Sequence, residues 1–416
     1  MNRAIRRNTE SSKKMFYLVI IMLIGTHFLG LEPFAHYVNS AAKPVILVKC
    51  IIFAIFAIKI YSQNITNEYT KWLLYLWIVF LINKLSSSYY RNQPLSESLF
   101  HGEFIYEFGY FYIITFLNPS IKQIEKTILY LGLGGLMIYI IQYYLLPTPI
   151  VESLTSGWRT SDKITEFDIQ RFTVTGECII YLCGLFALNK YFQTKNIYYL
   201  SISLIVIAIA ILHGYRSIMF ALLIAYIHLY SRINGLKLNG RTLGVIGLFI
   251  VLIIIISQTT LFENVISTID EKNKYQTSNS ISDIDRIIEL RYFYENINKP
   301  WEWIFGAGFI GINFKRTIVP HNWVDLGFIG MSFMGGILFT LCWIKLLLLN
   351  IRKLPMKYTY ISSFSIFVIL STLSLNVAFA NQAIIIQTLT FYLFLKIKYY
   401  NKQYKNRTNE SRILPK

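Results

Sequence analysis

A chain of 416 residues of which 54% are hydrophobic and only 15% are charged is too apolar for an ordinary water-soluble domain. Its net charge of +18 would suit a nucleic-acid-binding protein, but the basic residues form no recognised binding motif and are not interleaved with aromatic residues. The four cysteines stand singly in apolar segments without metal-ligand spacing, which predicts packing residues and no metal site. The composition therefore predicts an integral membrane protein with no nucleic-acid partner.

Apolar runs long enough to cross a bilayer, which takes about 20 helical residues, recur along the whole chain. The basic N-terminal sequence MNRAIRRNTESSKK leads into the first run without a small-residue cleavage site, which predicts a retained signal anchor. The expected fold class is all-α: a single polytopic membrane domain over residues 1–416 with about twelve transmembrane helices. We place them near residues 15–31, 44–61, 72–86, 100–117, 126–146, 173–190, 197–213, 217–231, 242–262, 324–346, 358–376 and 379–397.

The distribution of charge predicts the orientation, because cytoplasmic loops of membrane proteins are enriched in lysine and arginine. With the N-terminus in the cytoplasm, the predicted inner segments hold 25 of the 40 basic residues and four of the 22 acidic residues. The remainder of the chain has 15 basic and 18 acidic residues and is close to neutral. The large positive charge is therefore a topology signal, and both termini are expected in the cytoplasm.

Two predicted outer segments, residues 147–172 and 263–320, are too long for simple connections, and long patterned loops usually cover or complete a site. In the second segment, Ser282 and Asp285 have the spacing of a capping pattern, which predicts a helix near residues 282–296. Tryptophans in or beside these segments fit either an interfacial aromatic belt or the stacking of sugar rings. They are Trp158, Trp301, Trp303 and Trp323.

Ionisable side chains within a bilayer are costly, so each one is a candidate functional residue. Glu103 and Glu107 enter with the predicted fourth helix and, being four residues apart, are expected on one helical face. Two interpretations stay open. The carboxylates lie near water in a short helix, or they pair with a buried arginine or serve as an acid/base group facing a substrate cavity.

Arg216 is predicted at the outer end of its helix, and because arginine keeps its proton in proteins it needs an anion or a wet pocket there. Glu177, at the start of the predicted sixth helix, is one candidate partner, and an anionic ligand is the alternative. His321 and Asp325 begin the predicted tenth helix four residues apart. The carboxylate could orient the imidazole for general-base work, whereas an interfacial histidine without a catalytic role is the simpler alternative.

Four stretches over residues 171–345 follow one another on the predicted outer side. They are RFTVTG (171–176), HGYRSIMFALLIAY (213–226), DRIIELRYFYENINKPWEWIFGAG (285–308) and PHNWVDLGFIGMSFMGGILF (320–339). In this order they resemble the motifs of the O-antigen polymerase and ligase superfamily, integral membrane glycosyltransferases that use undecaprenyl pyrophosphate-linked glycans. The chain departs from the family pattern after the first stretch, where Glu177 and Cys178 replace the usual asparagine-proline pair.

The resemblance implies that Arg216 and Arg286 bind the donor pyrophosphate and that His321 activates the acceptor hydroxyl. Asp325 is the second predicted catalytic residue because of its spacing from His321. Arg291 is a competing loop candidate, because five residues of helix place it about 140° from Arg286 around the axis. Arg286 is preferred because it keeps the better spacing to the proline that follows the helix. The other predicted substrate-binding residues are Arg171, Glu103, Glu107, Glu177 and Trp158.

The function implied by the resemblance is polymerisation of lipid-linked polysaccharide repeat units at the outer face of a bacterial cytoplasmic membrane. The expected partners are the lipid-linked donor and acceptor, the bilayer and a chain-length regulator protein, with no cofactor. A ligase that transfers finished glycan to a lipid or protein acceptor shares the same fold and donor. A flippase is the alternative of another class, and it predicts pseudo-symmetric halves with discontinuous helices near the membrane midplane.

Overall fold

A computed structural model describes residues 2–25, 42–63, 67–100, 103–145, 176–213, 216–234, 281–297, 299–309, 326–373 and 381–413. Within these ranges the regular structure is helical and contains no strand. The predicted all-α fold class is therefore confirmed for the part of the chain that the structure describes.

The N-terminal helices cover most of the predicted apolar segments with different bounds, and one predicted segment differs in its winding. They are α1 (Asn2–Gly25), α2 (Ala42–Ser62), α3 (Glu68–Tyr90), α4 (Leu95–Phe100), a 3-10 helix (Glu103–Gly109), α5 (Tyr110–Leu117) and α6 (Ile121–Leu145). The continuous α-helix predicted over residues 100–117 is wrong, because its first part winds as a 3-10 helix. Helix α5 then ends at Asn118, whose φ of 51° is left-handed and closes the helix before a proline.

The later helices include a second difference from the prediction. They are α7 (Cys178–Thr194), α8 (Ile197–His213), α9 (Arg216–Asn234), α10 (Ile281–Asn296), α11 (Pro300–Phe305), α12 (Gly327–Gly335), α13 (Ile337–Ile351), a 3-10 turn (Met356–Tyr358), α14 (Thr359–Ser371) and α15 (Asn381–Ile413). Helix α10 coincides with the helix predicted near residues 282–296. The helix predicted over residues 324–346 is instead broken at Gly336, between α12 and α13.

Judged by length and composition, one helix among the described residues, over Ile121–Gln142, is long and apolar enough to cross a membrane. Shorter apolar helices cover Phe104–Leu117, Ile197–Ile211, Ser217–Ile233 and Ile337–Ile351. The apolar run predicted over residues 242–262 lies outside the described residues.

Buried polar side chains link the helices through their apolar core. The Tyr69 hydroxyl of α3 donates a hydrogen bond to Asn350 Oδ1 of α13 at 2.6 Å. Asn350 Nδ2 is in turn within 3.1 Å of Ser365 Oγ on α14 and 3.2 Å of Thr390 Oγ1 on α15. One asparagine therefore joins four helices, an arrangement in which polar groups hold apolar helices together.

The outward faces of several helices are aliphatic rather than polar. Helix α2 exposes Leu47, Ile51, Ile55 and Ile58, which recur every three or four residues along one face. Its opposite side, including Phe53, is buried in the core. A surface helix of a water-soluble protein would carry charged and polar residues on the outward face. These helices are apolar both where they pack together and where they face outward.

Candidate functional site

The C-terminal end of α12 is joined to the segment after α11 by a backbone contact that we call the glycine junction (residues 305–308 and 333–336). The Ala307 amide donates a hydrogen bond to the Phe333 carbonyl at 2.8 Å, and the Gly308 amide donates to the Met334 carbonyl at 3.0 Å. The last carbonyls of a helix have no partner within the helix itself. The amides of Ala307 and Gly308 supply these partners. Hydrogen bonds from another segment therefore stabilise the break after α12.

Two glycines make this close approach of backbones feasible. Gly306 and Gly336 have φ/ψ of 85°/159° and 90°/158°, a region that is essentially restricted to glycine. A Cβ atom on Gly306 would lie 2.3 Å from the Met334 carbonyl oxygen, and one on Gly336 would lie 2.3 Å from the Ile304 carbonyl oxygen. Neither position therefore has room for a side chain.

Helix α3 fastens the glycine junction from the side. The Asn83 amide nitrogen donates hydrogen bonds to the Phe305 carbonyl and, at 2.9 Å, to the Met334 carbonyl. Asn83 is fully buried. One side-chain amide therefore binds both backbone segments of the junction and holds α3 against them.

The next residue, Lys84, is a buried lysine that sequence reasoning missed. Its side chain has 0% exposure, and its Nζ lies 4.6 Å from the centre of the Phe80 ring and 4.9 Å from that of Phe309. Attraction of an ammonium group to aromatic faces offsets part of the cost of burying it. The available signal was a lysine inside an apolar run, which is by itself a reason to suspect a functional site.

Arg91, just beyond the end of α3, binds the segment that carries α10 and α11. Its guanidinium lies 2.9 Å from the Glu302 carboxylate of α11 and donates to the Asn296 carbonyl at the end of α10 at 3.2 Å. Both side chains of the ion pair are largely buried. Sequence reasoning missed this pair because its partners are far apart in the chain: Glu302 lies in the third motif-like stretch, but nothing in the sequence points to Arg91 as its partner.

Exchanging the charges of Arg91 and Glu302 in a double variant is expected to recover most of the stability that either single charge reversal removes. Arg91→Glu or Glu302→Arg would leave two like charges in a poorly hydrated contact and cost about 3 kcal/mol, whereas the double exchange recovers most of that loss. Thermal unfolding of the purified protein in detergent measures the effect. The control is Arg291→Glu in the exposed Arg291–Glu295 pair, where we expect a change below about 1 kcal/mol. Equal losses in the single and double variants would contradict the contact.

Arg286 and Arg291, the two candidates for the loop arginine that binds pyrophosphate, lie on different faces of α10. Phe293 and Ile297 are buried, and the Phe293 ring stacks on Phe333 of α12 with centroids 5.1 Å apart. Position 286 lies seven residues, close to two full turns, before Phe293 and therefore shares its helical face. Arg291 lies on another face, has 77% side-chain exposure and is 3.8 Å from the Glu295 carboxylate. The side chain of Arg286 itself lies outside the described residues.

Glu103 and Glu107, in the predicted fourth helix, do not lie on the same helical face. Because residues 103–109 form a 3-10 helix with about three residues per turn, positions four apart are separated by about 120°. The prediction that Glu103 and Glu107 share one helical face is wrong. Glu107 is buried and forms a 2.7 Å ion pair with Lys49 of α2, so its observed partner is a lysine rather than an arginine.

Glu177 and Arg216 stand at the starts of helices that run in the same direction. Glu177 directly precedes α7 and is buried, and Arg216 is the first residue of α9. The short connections between α7, α8 and α9 make neighbouring helices antiparallel, so the starts of α7 and α9 lie at the same end. Pairing of Glu177 with Arg216 stays a prediction, because the Arg216 side chain lies outside the described residues.

The remaining predicted site residues, His321, Asp325, Arg171 and Trp158, lie outside the described residues. The segment that contains the first two follows Phe309 and precedes Leu326, both of which are buried. Phe309 directly follows the glycine junction, whereas Leu326 directly precedes α12, whose opposite end forms the junction. In the described part of the chain, no three histidine, cysteine, aspartate or glutamate side chains are grouped as metal ligands.

No family model matches this chain, and no curated protein matches it. Its functional interpretation therefore depends on its own residues. The described geometry provides a rigid frame at one end of the helices, made of the glycine junction, Asn83 and the Arg91–Glu302 pair. The helix that carries Arg286 and the buried Phe309, which precedes the His321 stretch in the sequence, are attached to this frame. Such a frame can hold loop residues in fixed positions over a substrate.

Proposed function

We propose that this chain is a polytopic membrane glycosyltransferase that polymerises lipid-linked oligosaccharide units at the outer face of a bacterial cytoplasmic membrane. One observation carries the proposal: the described residues from α10 to Phe309 are held against α3 and α12 by the Arg91–Glu302 ion pair and the glycine junction. These residues include α10 and precede, in the sequence, the stretch that contains His321. These are the stretches whose sequence resembles the glycosyltransferase motifs.

The aliphatic outward faces support the membrane part of the proposal. Exposed contiguous apolar surface of this kind is costly in water but favourable in a hydrocarbon layer. Polar side chains such as Asn350 and Gln387 are buried between helices instead, and Gln387 Oε1 accepts a hydrogen bond from Trp343 Nε1 at 2.9 Å. Apolar residues outside with polar links inside are the distribution that a bilayer favours.

The ion pairs agree with the proposed division of the chain between the two sides of the membrane. In four ion pairs among the described residues, the two partners belong to different segments that the proposed topology places on the same side of the membrane. The outer pairs are Lys49–Glu107 and Arg91–Glu302, and the inner pairs are Lys190–Glu125 and Arg352–Glu68. A topology with one crossing more or fewer between two partners would have placed them on opposite sides of the bilayer, where no contact could form. The choice of the outer side depends on the distribution of charge.

The proposed reaction joins the acceptor sugar hydroxyl to the anomeric carbon of the donor. The new carbon–oxygen bond forms as the bond from that carbon to the pyrophosphate breaks, and the pyrophosphate leaves with the bonding electrons. His321 takes the hydroxyl proton, which requires a neutral imidazole within hydrogen-bond reach. Arg216 and Arg286 neutralise the charge that develops on the leaving pyrophosphate, and their planar guanidinium groups suit that task.

The broken helix α12–α13 is a discontinuity of the kind expected in a flippase. However, its exposed carbonyls are occupied by Ala307, Gly308 and Asn83 rather than directed at a substrate cavity. We therefore favour the polymerase over the flippase. The ligase shares the proposed donor and arginine chemistry, and the next experiment separates all three activities.

A deletion strain distinguishes the alternatives by the glycan that it displays. A polymerase predicts loss of the long-chain ladder on a gel with retention of one attached repeat unit. Loss of all attached glycan would indicate a ligase, and accumulation of lipid-linked units on the cytoplasmic side would indicate a flippase. An unchanged ladder would contradict the proposed function. Complementation with the intact chain provides the control.

A further inference from the structure

An exposed cluster of aromatic rings lies where α3 meets α11, and we call it the aromatic corner (Tyr89, Tyr90, Trp301 and Lys299). The Tyr90 and Trp301 rings are 5.0 Å apart and inclined by 32°, whereas Tyr89 and Tyr90 are 4.9 Å apart and nearly perpendicular at 89°. Tyr89 is 76% exposed and Trp301 is 36% exposed. The Tyr90 and Trp301 rings are therefore roughly stacked, the Tyr89 ring is perpendicular to that of Tyr90, and the cluster is partly exposed.

Lys299 adds a positive charge to the corner. Its Nζ lies 4.7 Å from the centre of the Tyr90 ring and 5.6 Å from that of Trp301, and the residue is exposed. The structure gives Lys299 no ion pair with a carboxylate of the described residues. An ammonium group held over aromatic rings remains available to an anion from solution or from a lipid.

The corner continues an aliphatic stripe on α3. The exposed residues Leu74, Ile78, Leu81 and Leu85 recur every three or four positions, and Tyr89 follows Leu85 by four. The same face of one helix is therefore aliphatic over about three turns and aromatic and cationic at its end. In the proposed orientation, the aliphatic part lies in the bilayer and the corner lies at its outer surface.

The corner is held rigidly although it is exposed. Its rings come from two distant segments, which are joined directly behind them by the ion pair between Arg91 and Glu302. Glu302 also anchors the end of α11, because its carbonyl accepts a hydrogen bond from the Gly306 amide at 2.8 Å. A preorganised surface loses less conformational freedom when a ligand binds.

We propose that this face of α3 is the docking site at which a lipid-linked saccharide leaves the bilayer for the reaction centre. The polyprenyl chain lies along the aliphatic stripe, the pyrophosphate faces Lys299, and the sugar rings stack on Trp301 and Tyr89. An ordinary phospholipid matches the stripe and the cation but has no sugar for the aromatic rings, whose negative faces attract the C–H groups of sugars. The inference rests on the proposed function and concerns residues that the reaction itself does not use.

The kinetic test uses lipid-linked repeat units extracted from a strain that lacks this protein. Trp301→Ala and Lys299→Gln are each expected to raise KM for these units by about tenfold, with the effect on KM rather than kcat. Tyr144→Ala is the matched control, since Tyr144 is an exposed ring near the end of α6. A merely interfacial role would give all three variants the same KM. Unchanged KM in Lys299→Gln and Trp301→Ala would overturn the proposal.

A binding measurement separates this inference from the proposed function. A fluorescent polyprenyl diphosphate-linked saccharide is expected to bind the wild-type protein about tenfold more tightly than Trp301→Ala, whereas polyprenyl phosphate without sugar binds both equally. Lys299→Gln, an exposed change that preserves folding, provides a second variant. Normal saccharide binding by both variants of an active polymerase would refute the docking site alone. Binding that depends on Trp301 in a protein without polymerase activity would refute the proposed function alone.

Discussion

Arg286→Ala is expected to abolish long-chain glycan, whereas Arg291→Ala is expected to leave it nearly intact. Loss of a fixed charge that stabilises a leaving pyrophosphate should lower turnover by about a hundredfold or more. Position 286 shares the face of α10 that carries the buried Phe293, whereas Arg291 is exposed and lies beside Glu295. The two arginines are five residues apart on one helix. The Arg291→Ala variant therefore controls for the loss of one positive charge and for the change in helix propensity.

The measurement is the glycan ladder of a deletion strain complemented with each variant, at equal amounts of protein in the membrane. Arg286→Lys is expected to retain part of the activity, because it keeps the charge but lacks the two-pronged hydrogen bonding of a guanidinium group. Long chains in the Arg286→Ala strain, or their equal loss in the Arg291→Ala strain, would show that the assignment of the loop arginine is wrong.

Gly336→Ala is expected to prevent stable folding of the junction between α12 and α13. The added Cβ would lie 2.3 Å from the Ile304 carbonyl oxygen, and the backbone conformation is one that residues with side chains avoid. Steric overlap and backbone strain together should cost more than about 3 kcal/mol, a large part of the stability of a typical protein.

The matched control for this change is Gly134→Ala. Gly134 lies within α6, and a Cβ atom there would have no other atom within 4 Å. Alanine should be neutral or stabilise the helix by up to about 1 kcal/mol. Thermal unfolding and the yield of monodisperse protein after solubilisation measure both variants. A Gly336→Ala protein as stable as Gly134→Ala would contradict the described junction.

Regular helices were predictable from the sequence, whereas the two interruptions were not. The apolar run over residues 197–213 has the same bounds as α8, because uninterrupted apolar composition favours one continuous helix. Apolar composition does not reveal the break at Gly336, where the backbone after α11 donates hydrogen bonds to the distant Phe333 and Met334 carbonyls. The 3-10 winding of residues 103–109 likewise changed the relation of two glutamates that α-helical spacing placed together.

In the candidate site, features that depend on local sequence spacing were predictable, whereas contacts between distant segments were not. Local spacing identified α10 and offered two arginines, and only the burial of Phe293 distinguishes the face of one from that of the other. The Arg91–Glu302 pair joins segments on opposite sides of the middle of the chain, so no window of sequence could reveal it. Lys84 was visible as a charge in an apolar run, but its two aromatic neighbours come from different segments.

The most direct test of the proposed polymerase uses purified protein in lipid nanodiscs with lipid-linked repeat units as the only saccharide. The proposal predicts products that carry two or more repeat units on one lipid, together with release of undecaprenyl pyrophosphate. The Arg286→Ala protein should form neither product. If folded wild-type protein leaves the single units unchanged, or transfers them only to an acceptor that is not lipid-linked, the proposed function is wrong.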